Sequence, residues 1–297
     1  MTLTIGRFAP SPTGPLHPGS LVAALGSFLS ARSRNGRWLV RMEDVDTSRC
    51  RAEHASTILH QLEQLGFVWD GPIIWQSRRQ QAYLAAIEQL HNQVYVCTCT
   101  RKLLEAQGNT EHYPGICRER SLAKNGHYSL RVKVPNAEIC MTDRLLGRQC
   151  LDLASHGGDF VIRRADGIFA YQLAVVVDDA ASGVTEVVRG ADLLDSTFRQ
   201  RHLQTLLGYP SPEYLHLPLV VDQRGQKLSK QQKAEPIDIR QPLPALQLAL
   251  ARLGQPVNPD IDSLAGFWAW AQASWDETKI PRNPQTCGKP ASDSGQD

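Results

Sequence analysis

Three features of the sequence predict an α/β fold built on a parallel sheet: strand-like apolar runs alternate with helical patterns, Pro/Gly turns sit where strands pass into helices, and one irregular, cysteine-bearing insertion interrupts the rhythm. Strands separated by helices pair in parallel and need helices over both faces. The 297 residues, 42% hydrophobic and 21% charged, match globular averages and leave disorder, collagen-like repeats and coiled coils without support. About two domains' worth of chain is present.

"LTIGRFAP" reads as a short strand that runs into "APSPTGPLHPGS", residues 9–20. From Ser20, the positions Leu21, Leu25, Phe28 and Leu29 share one helical face, and Gly36 follows where a C-terminal cap would sit. "RWLVRMED" is a second strand ending in carboxylates; "AEHASTILHQLEQLG" repeats the helical pattern through Ile58, Leu62 and Leu65 and stops at Gly66. After a helix around "RRQQAYLAAIEQLHNQ" and the strand "VYVCTCT", residues 100–158 lose regularity and read as an insertion. The pattern resumes in "DFVIRRADGIFAYQLAVVVDDAASGVTEVVRG", whose apolar runs predict buried strands, and in the helix "DLLDSTFRQRHLQTLLG". "LHLPLVV" is a further strand, followed by the basic loop containing "KLSKQ"; "PALQLALARLG" and "SLAGFWAWAQASW" predict two C-terminal helices. The resulting division is residues 1–96 and 159–226 for the two halves of the core, 97–158 for the insertion, 227–285 for the lysine loop and helical C-terminal piece, and 286–297 for a frayed tail.

Two stretches carry phosphate chemistry. A helix N-terminus offers unpaired N–H groups and the positive end of a dipole, a glycine there admits a bulky ligand, and prolines hold the turn in shape. His17, Gly19 and Ser20 occupy that position in "LHPGS". In "KLSKQ", Lys227 and Lys230 can bring ammonium groups onto a polyphosphate from a loop that closes over it. Either stretch alone reads as an ordinary turn or a solvated basic loop; one α/β sheet carrying both points to a nucleotide.

In this order, "RFAPSPTGPLHPGS", "RMEDVD", "VVDD", "RGADLLDSTFRQRHLQTLLG", "LHLPLV" and "KLSKQ" resemble the catalytic core of class I glutamyl-tRNA synthetases from about residue 5 to 240. "LHPGS" stands for that family's HIGH signature and "KLSKQ" for KMSKS, with Pro18, Ser20 and Gln231 departing from the pattern. The resemblance implies a Rossmann-like parallel sheet, an inserted acceptor-domain-like module bearing zinc, and a short helical C-terminal subdomain. It implies a ligase in which His17 and Lys230 are catalytic, with Pro10, His17, Gly19, Ser20, Lys227 and Lys230 binding ATP and its Mg²⁺. Arg7, Phe8, Ala9, Pro10, Ser11, Glu43, Tyr171 and Arg189 line the glutamate pocket: Glu43 and the Tyr171 hydroxyl take the ammonium, and Arg7 and Arg189 the carboxylates. Fewer than seventy residues follow the lysine loop, so the resemblance narrows to a truncated branch that transfers glutamate to queuosine in the anticodon of tRNA(Asp). A minimal synthetase charging a tRNA 3′ end and a non-catalytic tRNA-binding module stay as alternatives.

Cys97, Cys99 and Cys117 suggest one structural zinc, which asks for four ligands. Ligand softness favours His112 as the fourth, whereas the family's Cys-x-Cys, Tyr-x-x-x-Cys pattern falls on Tyr113. Cys50, Cys140, Cys150 and Cys287 carry no pattern; the odd count of 7 cysteines speaks for a reduced compartment rather than a disulfide framework. Neither a signal peptide nor a membrane-length apolar run is evident, so a cytoplasmic monomer without membrane contact is expected. The net charge of +2 neither suggests nor excludes RNA.

Overall fold

A computed structural model describes residues 3–108, 112–221, 236–283 and 285–286. Strand β1 (Ile5–Phe8) enters helix α1 (Pro18–Ser33) through the proline turn, and β2 (Arg37–Met42) returns parallel to β1 with Arg7 opposite Leu39. Helix α2 (Ala52–Gln64) leads to β3 (Ile74–Trp75), parallel to β2, and α3 (Gln80–Gln89) follows. Across the fold lie β9 (Glu186–Gly190), α6 (Leu194–Leu207) and β10 (Glu213–Leu217), again parallel. β9 runs beside β1, the Thr185 amide donating to the Ile5 carbonyl over 3.0 Å and the Ile5 amide to Thr185 Oγ1 over 2.8 Å. This is the predicted α/β arrangement.

The insertion divides in two. β4 (Val94–Cys97), β5 (Ser129–Val132) and β8 (Phe160–Arg163) form an antiparallel sheet beside the short helix α4 (Arg101–Ala106). The hairpin of β6 (Glu138–Asp143) and β7 (Gly147–Asp152) instead joins the edge of the main sheet, Asp143 lying opposite Tyr214 of β10.

Apolar side chains fill both faces of the sheet. One core joins Phe28 of α1, Trp38, Phe67 and Leu62 to Leu246 and Leu250 of α7 (Pro242–Arg252) and Phe267 of α8 (Leu264–Ser274). Trp268 packs edge-on against Phe28 and Phe67, so the C-terminal tryptophans belong to packing, as their helical spacing predicts. The other core gathers Tyr83, Leu173, Val176, Val187, Phe198 and Leu203. No helix among the described residues is long and apolar enough to cross a membrane.

Two expectations need correction. The run "YQLAVVVDDAA" is not a strand but helix α5 (Tyr171–Ala181). A continuous apolar run does not discriminate a buried helix from a buried strand; here Leu173 to Val177 are all buried because sheet, α3 and α6 surround the helix. Cys140 and Cys150 are not free thiols: they face each other across the β6–β7 hairpin, Cα atoms 4.1 Å apart, and form a disulfide. Their ten-residue separation only acquires meaning once a tight hairpin aligns them.

Candidate active site and cysteine cluster

A cavity of about 430 Å³ opens at the carboxyl ends of β1, β2 and β9, where ligands of open α/β sheets collect. Every residue assigned to the pocket within the described chain lines it: Arg7, Phe8, Ala9, Pro10, Ser11, His17, Gly19, Ser20, Glu43, Tyr171 and Arg189. Lys227 and Lys230 lie outside the described residues. Thr13, Asp192 and Leu219 also line the cavity and went unassigned. Asp192 and Leu219 sit inside the quoted stretches "RGADLL" and "LHLPLV", so the signal was present without an assigned role.

The proline turn is held at both ends. His17 is the N-cap of α1, its Nδ1 accepting the Ser20 amide proton over 3.3 Å, with Pro18 in the first helical turn. The Glu43 amide donates to the Pro10 carbonyl over 3.0 Å, tying the end of β2 to the turn.

Beneath the cavity lies a cluster of buried charges. Arg41 is 1% exposed, and its guanidinium spans two carboxylates: Nη1 donates to Asp179 over 2.5 Å and Nη2 to Glu43 over 3.2 Å. Arg7 donates from Nε to the same Asp179 oxygen over 3.4 Å. Burial pushes the Glu43 carboxyl above its usual range, against the pull of Arg41 and Arg7. Burial also disfavours the Asp179 carboxylate, but Arg41 and Arg7 outweigh it and hold this group below its usual range. The neighbouring Asp178 turns the other way, accepting from Gln76, Arg79 and Tyr83, and so anchors α5 to the segment around α3.

Arg189 leaves the carboxyl end of β9 beside Tyr171. Its Nη1 donates to the Tyr171 hydroxyl over 3.3 Å, Nη2 to Thr197 Oγ1 over 2.7 Å and to the Leu193 carbonyl over 3.3 Å, and Nε to His216 Nε2 over 3.4 Å. Burial raises the Tyr171 phenol, so it stays protonated at neutral pH. Two guanidinium groups and the Glu43 carboxylate, with Asp192 also on the wall, thus converge on a single cavity, a set that suits a zwitterion with an extra carboxylate.

A second cluster lies in the insertion. The sulfurs of Cys97, Cys99 and Cys117 fall within 4.8 Å of one another, those of Cys99 and Cys117 being 3.6 Å apart. The Tyr113 hydroxyl stands 3.4 Å from Cys97 Sγ and 3.9 Å from Cys99 Sγ, and accepts the Cys117 amide proton over 2.9 Å. Sulfur ligands of a tetrahedral zinc lie about 3.8 Å apart, and a sulfur and an oxygen ligand about 3.5 Å, so these four residues fit the ion. Tyr113 is buried and His112 exposed. The Arg131 guanidinium lies over the Tyr113 ring, 3.7 Å from its centroid. Burial opposes ionisation of Cys97, but hydrogen bonds from Tyr113, Cys99 and Arg131 prevail and bring the thiol down to about 7, whereas burial takes Cys99 up to about 12. Gly158, at φ +69°, holds the Tyr113 loop from below: a Cβ there would lie 2.6 Å from the Tyr113 carbonyl oxygen.

Residues 4–243 match the model of the family described as tRNA synthetases class I (E and Q), catalytic domain. The chain is 51% identical over 289 residues to a glutamyl-Q tRNA(Asp) synthetase of Aromatoleum aromaticum, covering 95% of this chain and 91% of that protein. It is 50% identical over 295 residues to one of Thiobacillus denitrificans, covering 97% and 98%. Among solved structures, a glutamate tRNA ligase from Elizabethkingia meningosepticum in complex with its amino acid superimposes with a TM-score of 0.83 at 26% identity, covering 97% of this chain and 67% of that one. Since the catalytic-domain match spans residues 4–243 and half-identical sequence runs nearly end to end, the chain belongs to the class I glutamate and glutamine tRNA synthetase family, in its glutamyl-Q tRNA(Asp) synthetase branch.

Proposed function

We propose that the chain condenses glutamate with ATP into glutamyl-adenylate and transfers the glutamyl group to queuosine in the anticodon of tRNA(Asp). The observation that carries the reading is the cavity itself, where Arg7, Arg189 and Glu43 meet beside the capped N-terminus of α1 in a chain half identical to such enzymes.

In the first step a glutamate α-carboxylate oxygen attacks the α-phosphorus of ATP, the P–O bond to the β-phosphate breaks, and pyrophosphate leaves. Negative charge spreads over the phosphate oxygens in that transition state, so fixed N–H donors and cations lower the barrier. The start of α1, with Pro10, His17, Gly19 and Ser20, faces the nucleotide from one side; Lys227 and Lys230 are assigned to the other. Glu43 receives the glutamate ammonium with the Tyr171 hydroxyl beside it, while Arg7 and Arg189 receive the carboxylates. Mg²⁺ would accompany the nucleotide and neutralise its phosphates. In the second step an acceptor hydroxyl oxygen of queuosine attacks the acyl carbon, the bond from that carbon to the phosphate oxygen breaks, AMP departs and the hydroxyl proton is released to water. ATP and tRNA are cytoplasmic substrates, which places the reaction there. Cys97, Cys99, Cys117 and Tyr113, none of which lines the cavity, would hold a structural zinc that shapes the insertion and takes no part in acyl transfer.

Labelled glutamate incubated with ATP and tRNA(Asp), with and without queuosine, tests the reading. Label on the queuosine-containing RNA alone is expected. Equal labelling of both RNAs, or label on the 3′ end, overturns the assigned acceptor.

The burial of Glu43 gives a pH signature. The group must be ionised to hold an ammonium, and its raised pKa means that protonation begins at a higher pH than in an exposed carboxyl. Glutamate affinity therefore falls as pH drops through that value, ahead of the substrate's own side-chain carboxyl at about 4.3. Glutamate-dependent ATP–pyrophosphate exchange from neutral to mildly acid pH should show the glutamate KM rising by roughly tenfold per pH unit below that point. In Glu43→Gln the KM should be high and nearly independent of pH; an unchanged profile removes Glu43 from ammonium recognition.

A further inference from the structure

The strand motif "LHLPLV" places His216 at the centre of a buried chain of polar groups of which the proposed chemistry uses only one end, Arg189. His216 and Thr197 are fully buried, and Asp143 and Arg189 are 1% and 5% exposed. Asp143, at the tip of the β6–β7 hairpin, accepts from His216 Nδ1 over 2.7 Å and from the His216 amide over 3.1 Å. Its other oxygen accepts the amides of Leu145 and Leu146, each over 2.9 Å. These contacts outweigh burial and keep Asp143 ionised; burial in turn keeps His216 neutral.

Proton counting then fixes the ring. Asp143 accepts only, so Nδ1 carries the imidazole proton and Nε2 offers a lone pair. The Arg189 Nε–H points at that lone pair over 3.4 Å; the Thr197 hydroxyl stands 3.0 Å from it and 3.2 Å from the Leu193 carbonyl, its one proton serving either acceptor. The Thr197 oxygen also accepts from Arg189 Nη2 over 2.7 Å. Arg189 thus has Nε and Nη2 held from behind by β10 and α6, while Nη1 is directed to Tyr171 and the cavity. A histidine of the opposite tautomer would aim an N–H at the arginine N–H and push the fork away.

We propose that His216 is a positioning residue for glutamate activation: its Nε2 lone pair, fixed by Asp143, aims the Arg189 guanidinium at a glutamate carboxylate. The inference rests on the reading of Arg189 as a glutamate-binding residue. The hairpin inserted at the sheet edge therefore reaches the amino-acid pocket through three side chains, although none of its own residues lines the cavity.

Two near-isosteric variants separate positioning from packing. His216→Asn keeps a donor toward Asp143 and loses the Nε2 acceptor; His216→Gln can place an oxygen near the Nε2 position and loses the donor. In glutamate-dependent ATP–pyrophosphate exchange, His216→Asn is expected to raise the glutamate KM by about tenfold, the cost of a lost hydrogen bond to a charged group, with the ATP KM unchanged. His216→Gln should recover most of that loss. Thr197→Val, which removes the second contact to Arg189 with little change in volume, serves if the histidine variants do not fold, and should show the same glutamate-only effect. Arg189→Lys is run alongside. If it leaves the glutamate KM unchanged, the assignment of Arg189, and with it the proposal, fails. If Arg189→Lys raises the KM while His216→Asn and Thr197→Val do not, or if they raise the glutamate and ATP values equally, Arg189 stays in the site and the positioning role of His216 is overturned.

Discussion

Replacing Arg41 by methionine is expected to raise the glutamate KM by about a hundredfold or more and to lower the thermal midpoint by about 10 °C. The guanidinium is enclosed, and it is the shared counter-charge of Asp179 and Glu43. Removing one partner from a buried ion pair costs about 3–5 kcal/mol, because the remaining charge stays out of water without compensation. Glu43, already raised by burial, then loses the nearest charge that opposes its protonation and takes up a proton at a higher pH than in the parent protein, which weakens its proposed hold on an ammonium. Asp179 retains only the long contact to Arg7, so the guanidinium proposed to receive a glutamate carboxylate loosens as well. Arg41→Lys should fall between the two, since one ammonium keeps the charge but does not fork across both carboxylates. Exchange kinetics with glutamate and with ATP, paired with thermal unfolding, separate the effects. A lower midpoint with an unchanged glutamate KM would make Arg41 a brace and nothing more.

The second large effect concerns the cysteine cluster. Purified protein should contain one zinc per chain by elemental analysis, and chelation or Cys117→Ser should unfold the segment around residues 97–122. The apolar core there is small, consisting of Tyr95, Cys97, Tyr113 and Cys117 with a few partly buried neighbours. A unit of that size needs a staple, and a structural zinc supplies on the order of 10 kcal/mol in small metal domains. Limited proteolysis should therefore cut this segment in metal-free protein while the catalytic sheet resists. Because no cluster residue lines the cavity proposed for glutamate, ATP–pyrophosphate exchange should fall by less than about threefold, within the range of small indirect effects. Metal-free protein with an intact, protease-resistant segment would exclude the stapling role.

How far the sequence could be read depended on the distance over which each feature was encoded. The turn from Arg7 to Ser20 is local, its prolines and glycines dictate backbone directly, and every residue assigned from it lines the cavity. The Cys-x-Cys and Tyr-x-x-x-Cys spacings are likewise short, and their four side chains do meet. Helix α5 was misread because its five consecutive apolar residues carry no period, and only the elements packed around it decide its geometry. The Cys140–Cys150 bridge depends on hairpin register, which neither cysteine signals alone. Arg41 and Asp179 were visible within "RMEDVD" and "VVDD", yet their pairing spans 138 residues and emerges only when β2 and α5 are stacked. The same holds for the link from Asp143 to His216, 73 positions apart.

The cap on α1 also settles which nitrogen of His17 carries the proton. Because Nδ1 of His17 is occupied as an acceptor of the Ser20 proton, a neutral ring must keep its own proton on Nε2. The neutral imidazole therefore presents Nε2–H as a donor, and protonation of the ring would cost α1 its cap, because Nδ1 could then no longer accept the Ser20 proton. A bend that looks like mere scaffolding thereby selects one of two chemically distinct forms of the side chain it carries.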